Sequence, residues 1–152
     1  MQPRMDYASA APAALRAMGA LEEHVRMCGL EHSLLELMKI RASQINGCAY
    51  CIDMHTKDAR AAGETEQRLF ALSAWRECPF YTPRERAALA WAEALTLIHQ
   101  SQVSDRQYSD VREHFSEAEL VNLTIAVVAI NGWNRLAISF RTTPGSYQPK
   151  AR

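Results

Sequence analysis

The stretch "NGCAYCIDMHTK", residues 46–57, holds the most reactive chemistry in the chain: Cys48 and Cys51 lie three apart, and His55 follows four residues later. On a helix turning about 100° per residue, offsets of zero, three and seven fall within roughly 60° of one face. Cys51 and His55 are then one turn apart and can touch. Gly47 stands just before the first cysteine, which places the pair at or near a helix N-terminus. Free N–H groups and the helix dipole at that end favour a thiolate and lower its pKa. Two assignments of the reactive sulfur compete. The dipole favours Cys48, nearest the helix start, whereas the histidine favours Cys51, nearest the base. Spacing alone does not decide between them.

Three readings of the pair stand side by side. A structural zinc site needs four ligands, and no second C-x-x-C or H-x-x-x-H occurs, so Glu36 or a distant histidine would have to complete it. Two inert buried thiols are the second reading. The third, a thiol redox centre, is what a C-x-x-C in a reducing compartment favours. Cys28 and Cys78 are isolated in sequence and read as small buried hydrophobes. Glu36 lies twelve residues before Cys48 and off the stripe of Leu34, Leu37, Met38 and Ile45. It aligns with Ile40, Ser43 and Gly47, a line leading to the turn before the cysteines. A lone glutamate on a helix usually sits on a solvated face. Here the short connection at Asn46 and Gly47 could fold that helix back beside the cysteines. The carboxylate would then hold and polarise His55, as a third group orients the base in activated-nucleophile sites.

The elements that must position these residues read as helical almost throughout. "SAAPAALRAMGALEEHVRMCG" is Ala/Leu-rich, with Pro12 near its start and Gly29 at its end. "EHSLLELMKIRASQING" stops at Gly47, and "CAYCIDMHTKDARAAG" ends at Gly63, a typical C-terminal glycine. "TEQRLFALSAWREC" runs to the breaker Pro79. "TPRERAALAWAEALTLIHQ" opens with Thr82, Pro83 and Glu85 as cap, first helical residue and capping-box partner. Ser104 caps "SDRQYSDVREHF", and Ser116 with Glu119 opens "SEAELVNLTIAVVAINGWNRLAISF". The β-branched run at 123–130 followed by Asn131-Gly132 could suggest a strand and hairpin. It continues a capped helix instead, and no second strand follows. It reads as a helix buried nearly all round, which Gly132 could bend or end. The expectation is about seven helices, an all-α fold, one domain over residues 1–152, and loose tails at both termini.

Composition narrows the partners. The chain has 152 residues, 48% of them hydrophobic, and its 17 basic and 17 acidic residues cancel without gathering into blocks. No basic surplus points to nucleic acid or an anionic membrane. The run at 123–130 is too short to span a bilayer. The N-terminus lacks an apolar signal core, so the expected location is the cytoplasm. His24, His32, His99 and His114 are scattered and read as structural or solvated. Trp75, Trp91 and Trp133 read as core or subunit contacts.

Glu36, eleven intervening residues, then Cys48-x-x-Cys51-x-x-x-His55 resembles the signature of the AhpD-like alkylhydroperoxidases of the carboxymuconolactone decarboxylase superfamily. The likeness is unbroken over "LLELMKIRASQINGCAYCIDMHTKDARAAG" and less specific at "AINGWNRLAISFR", spanning roughly residues 30–141. It implies an all-helical AhpD-like subunit that assembles as dimers, trimers or hexamers. It also implies reduction of hydroperoxides without a metal or other cofactor. In that pattern Cys51 is peroxidatic, Cys48 resolves the sulfenic acid into a disulfide, and Glu36 with His55 forms the proton relay. The re-reducing partner would be an external dithiol of lipoyl or thioredoxin type. Some members carry a second histidine just before the second cysteine; Tyr50 stands there instead, shortening the relay. Two other activities fit the same residues. One is decarboxylase- or isomerase-like chemistry on a small carbon acid using Glu36 and His55, and the other a redox-sensing or zinc-binding module. The apolar run at 123–130, with Trp133 and Arg135 beside it, agrees with a homo-oligomer.

Overall fold

The computed structural model describes residues 2–100 and 102–149. Every regular element among them is helical: α1 Tyr7–Ala10, α2 Pro12–Met27, α3 His32–Asn46, α4 Ala49–Ala61, α5 Glu66–Ala71, a 3₁₀ segment Leu72–Glu77, α6 Pro83–Thr96, α7 Asp105–Arg112 and α8 Glu117–Phe140. The all-α expectation holds, with two refinements of the count. Asp6 accepts hydrogen bonds from the N–H groups of Ala8 and Ser9 and so nucleates the one-turn α1. The segment at 65–78 divides, because Ala74 leaves helical φ/ψ and the chain tightens into the 3₁₀ turn.

The caps behave as the sequence demands. Thr82 with Glu85 and Ser116 with Glu119 form reciprocal capping boxes, and Ser104 forms a third with Gln107. At the other end of α3, Gly47 takes φ 69°, the left-handed conformation a side chain resists. The N–H of Cys48 then returns to the carbonyl of Ser43, closing a Schellman-type turn. Cys48 is extended and serves as N-cap of α4. One left-handed residue therefore reverses the chain, and α4 packs back along α3.

α3 is the centre of the molecule, contacting α4, α6 and α8. Its residues Leu34 through Ile40 are all buried, Glu36 and Lys39 included. The main core gathers Leu34, Leu35, Met38, Leu123, Val127 and Ile130 among others. A smaller one, with Leu37, Ile40, Leu72, Trp75 and Leu89, sits beneath α5 and the 3₁₀ turn.

α8 departs from expectation in two ways. It runs unbroken through Gly132, whose role is close approach: a Cβ there would lie 2.9 Å from the Met18 methyl of α2. Nor is it buried all round. Leu123, Ala126, Val127 and Ile130 face inward, but Val121 and Val128 remain 61% and 54% exposed, because neighbouring helices cover only one side. By length and composition α8 is also long enough to cross a bilayer, though the apolar run inside it is shorter. Its packed inner face explains that composition as a core helix. The tails are not loose where they are described. Arg4 donates to the Phe140 and Ser139 carbonyls, and Gly145 and Tyr147 are bonded to Asp53, Lys57 and Asp58 of α4. Met1 and residues 150–152 lie outside the described residues. Cys28 and Cys78 pack at the margins of the two cores and are half-buried, not enclosed as expected.

Candidate functional site

The turn at Gly47 brings Glu36 of α3 against His55 of α4. The Nδ1 of His55 donates to a Glu36 carboxylate oxygen at 2.8 Å, and both side chains are buried. With Nδ1 engaged, Nε2 is the nitrogen left to exchange a proton. Glu36 also faces the ammonium of Lys39 at 3.7 Å, and Lys39 in turn pairs with Glu22 of α2 at 2.5 Å. Burial works to raise the Glu36 carboxyl, but the hydrogen bond and charge of His55, together with Lys39, outweigh it and hold it below its ordinary value. A buried charge of this kind survives only because it is paired and hydrogen-bonded. Lys39 is a member that pattern reasoning missed. A lysine in the apolar run "LLELMKI" was the available signal.

Cys48 and Cys51 are each only 1% exposed. The Cys51 thiol donating to Cys48 lowers the Cys48 pKa most. Burial opposes, while the N–H groups of Cys51 and Tyr50 and the charge of His55 add to the lowering, and the net value falls to about 7. The two N–H contributions are the helix-start effect anticipated for an N-terminal cysteine, secondary here to the Cys51 thiol. Cys51 moves the other way: donation to Cys48, burial and the Cys48 charge all hold its proton, with only a hydrogen bond from Asn134 opposing. The first proton of the pair therefore leaves Cys48.

Access runs opposite to acidity. Cys51, Glu36 and His55 line one cavity of ≈ 370 Å³, together with Lys39, Tyr50 and Trp133. Cys48 does not line it. It borders an adjoining cavity of ≈ 450 Å³, which shares Tyr50 and Ala137 with the first and is also lined by Arg141 to Pro144. The four residues singled out from the sequence thus come together, but the two cysteines line different, adjoining spaces. Trp133, expected in a core or a subunit contact, is a wall of the Cys51 cavity. His32 lines the same cavity.

Among the described residues, the side chains whose ligand atoms converge as a metal site would require are Glu36, His55 and Asp58, within 4.8 Å of one another. Neither sulfur belongs to that group, so a zinc site built on the cysteine pair is not assembled. The Asp58 carboxylate already accepts from the Tyr147 hydroxyl at 2.7 and 2.9 Å.

Comparison with known proteins bears on the family and the fold. The sequence pattern of the carboxymuconolactone decarboxylase family matches residues 12–94. The uncharacterized protein YdfG of Bacillus subtilis is 47% identical over 139 residues, covering 91% of this chain and 95% of its own. A crystal structure of a protein of unknown function from Agrobacterium tumefaciens, suggested to be the antioxidant-defence protein AhpD, superposes with a TM-score of 0.92. It is 46% identical, covering 96% of this chain and all of its own. At the level of fold alone, the debrominase Bmp8 is similar with a TM-score of 0.77 at 17% identity, over 91% of this chain and 74% of its own.

Proposed function

Since the chain belongs to the carboxymuconolactone decarboxylase family, we propose that it is a thiol-dependent peroxidase acting through Cys48 and Cys51. The observation that carries the reading is the shared cavity: Cys51 opens to the same space as the buried His55–Glu36 pair, and Cys48 does not. A hydroperoxide entering that space meets one sulfur and one base.

The opposed acidities fit this division of labour. Cys51 holds its proton, so it needs a base at the moment of reaction, and His55 stands one turn along the same helix. As Cys51 attacks the terminal peroxide oxygen, the O–O bond breaks and two electrons leave sulfur. The Cys51 proton passes through His55 to the departing alkoxide, which leaves as an alcohol, and Cys51 becomes a sulfenic acid. Glu36 steadies the imidazolium in between. Cys48, already ionised near neutral pH, then attacks the Cys51 sulfur; the S–O bond breaks, and the departing hydroxide takes a proton from solvent and leaves as water. An external dithiol of lipoyl or thioredoxin type restores the thiols. Attack of the reductant thiolate at Cys51 breaks the S–S bond and releases Cys48 as a thiolate beside the N–H groups of Tyr50 and Cys51. Tyr50, in the place where some members carry a histidine, forms part of the cavity wall.

The test is steady-state hydroperoxide consumption with dihydrolipoamide and with reduced thioredoxin offered separately. Sustained turnover with at least one of them is expected. Protein that is fully reduced yet consumes no hydroperoxide with either would refute the reading.

A further inference from the structure

We propose that Lys39 and Glu22 are positioning residues for the base: the Lys39 ammonium, held by Glu22, balances part of the Glu36 charge and so sets how firmly His55 keeps a proton. This rests on the reading of His55 as the group that takes the proton of Cys51.

The contacts form one line across three helices. Lys39 Nζ of α3 donates to Glu22 Oε1 of α2 at 2.5 Å. The same Nζ stands 3.7 Å from Glu36 Oε1. The other Glu36 oxygen, Oε2, accepts from His55 Nδ1 of α4 at 2.8 Å. Lysine and histidine thus approach the carboxylate at different oxygens, so neither displaces the other. Lys39 follows Glu36 by three residues, which puts both on one face of α3. All four side chains line the cavity that Cys51 lines. The remaining ionisable groups on that wall are Tyr7, Arg26, His32, Tyr50, Cys51 and Asp58, while α8 contributes Trp133 and Ala137.

Stability is a poor reason for this lysine. Its side chain is 6% exposed within the apolar run "LLELMKI", and burying an ion pair there costs desolvation. Apolar residues of similar volume in place of such a pair are often neutral or stabilising. The charge itself is what the position supplies. A proton on His55 is favoured by the Glu36 anion and opposed by the Lys39 cation. Glu22 neutralises part of Lys39 and relaxes that opposition. Away from bulk water each of these influences is stronger than at the surface. Burial raises the Glu36 carboxyl, and Lys39 joins the larger effect of His55 in lowering it. Glu22 is 32% exposed, so α2 carries the end of the line that reaches solvent.

The experiment follows the His55 ring nitrogens of full-length, reduced protein by NMR, through the non-exchanging ring protons, over a matched series of pH values. The two members of the ion pair should act with opposite sign. Lys39→Met leaves the carboxylate wholly to His55 and should raise the ratio of charged to neutral imidazole about tenfold at a given pH, the equivalent of one unit. Glu22→Gln frees Lys39 to oppose the proton and should lower that ratio, by a smaller factor because it acts through Lys39. Lys39→Arg keeps the charge and should restore most of the wild-type ratio. Glu23→Gln, at an exposed neighbour of Glu22 that pairs with Arg26, controls for general charge and should leave it in place. Should Lys39→Met fail to fold, the half-exposed Glu22 decides alone. A ratio unmoved in folded Glu22→Gln protein, or moved in the same direction by both changes, overturns the proposal. The outcomes separate from the peroxidase reading. Opposed shifts in protein that consumes no hydroperoxide uphold the positioning role and remove the peroxidase. Consumption with an unmoved imidazole does the reverse.

Discussion

Replacing Glu36 by glutamine keeps the shape of a buried side chain and deletes its charge. Wild-type Glu36 accepts from His55 at 2.8 Å and faces Lys39 at 3.7 Å. The glutamine carbonyl can still accept from Nδ1, so the imidazole stays in place but loses the anion that steadies its charged form. A hydrogen bond to a charged group contributes about 1.5–3 kcal/mol. At 1.36 kcal/mol per factor of ten, that converts to a rate loss of roughly 10- to 150-fold. The fold should survive, because Lys39 keeps Glu22 at 2.5 Å. The assay is single-turnover consumption of a hydroperoxide by pre-reduced protein, followed at saturating substrate so that the loss appears in the rate constant and not in binding. A Glu36→Gln rate within twofold of wild type would show that the carboxylate has no part in the relay. Stability offers a second readout. Glu36 is held below its ordinary 4.5 in the fold. Its contribution is therefore present above that value and lost as pH falls through the lower, folded one. The stability gap between wild type and Glu36→Gln should close on acidification.

The cysteine roles separate by substitution: Cys51→Ser should abolish consumption, whereas Cys48→Ser should react once and stall as a sulfenic acid that a dimedone-type reagent traps. The reverse pattern would hand the peroxidatic role to Cys48. In the reduced protein, Cys48 lies near 7 against an ordinary 9.0, so stability measured by chemical denaturation should rise with pH between those values. Above 9.0 the proton held by Cys51 should make stability fall again, and Cys48→Ser should flatten the rising limb. Light scattering at micromolar concentration should give an assembly of at least two chains, with the exposed Val121 and Val128 face of α8 as the surface to be covered. An active species at the 17.1 kDa chain mass would count against it.

Much of this site was legible in the sequence because it is local. The C-x-x-C-x-x-x-H spacing and Gly47 define one turn and the start of one helix, and Glu36 sits on the line leading to that turn. Capping boxes at Thr82 and Ser116 made the helix starts equally plain. What escaped depends on contacts distant in sequence. Lys39 looks like a surface residue until Glu22, seventeen positions earlier, is found beside it. Asn134 reads as helix polarity until Asn46, eighty-eight residues away, turns its amide. The binding of the C-terminal tail to α4 through Tyr147 and Asp58 has no periodic signature at all. Nor could spacing reveal that the two cysteines line different cavities, since that depends on Trp133 and on the segment 141–144, both remote from the motif. The exposed side of α8 was hidden for another reason: apolar composition reports what a helix can bury, not which of its faces has a neighbour in one chain.

The most direct measurement exposes fully reduced protein to one equivalent of an organic hydroperoxide, quantifies the alcohol formed, and maps the thiols by alkylation, digestion and mass spectrometry. The account predicts one alcohol per chain and a peptide containing Cys48 and Cys51 lighter by two hydrogens, with Cys28 and Cys78 alkylated as before. Hydroperoxide left intact with all four thiols still reactive, or oxidation that falls on Cys28 or Cys78 instead, would contradict it.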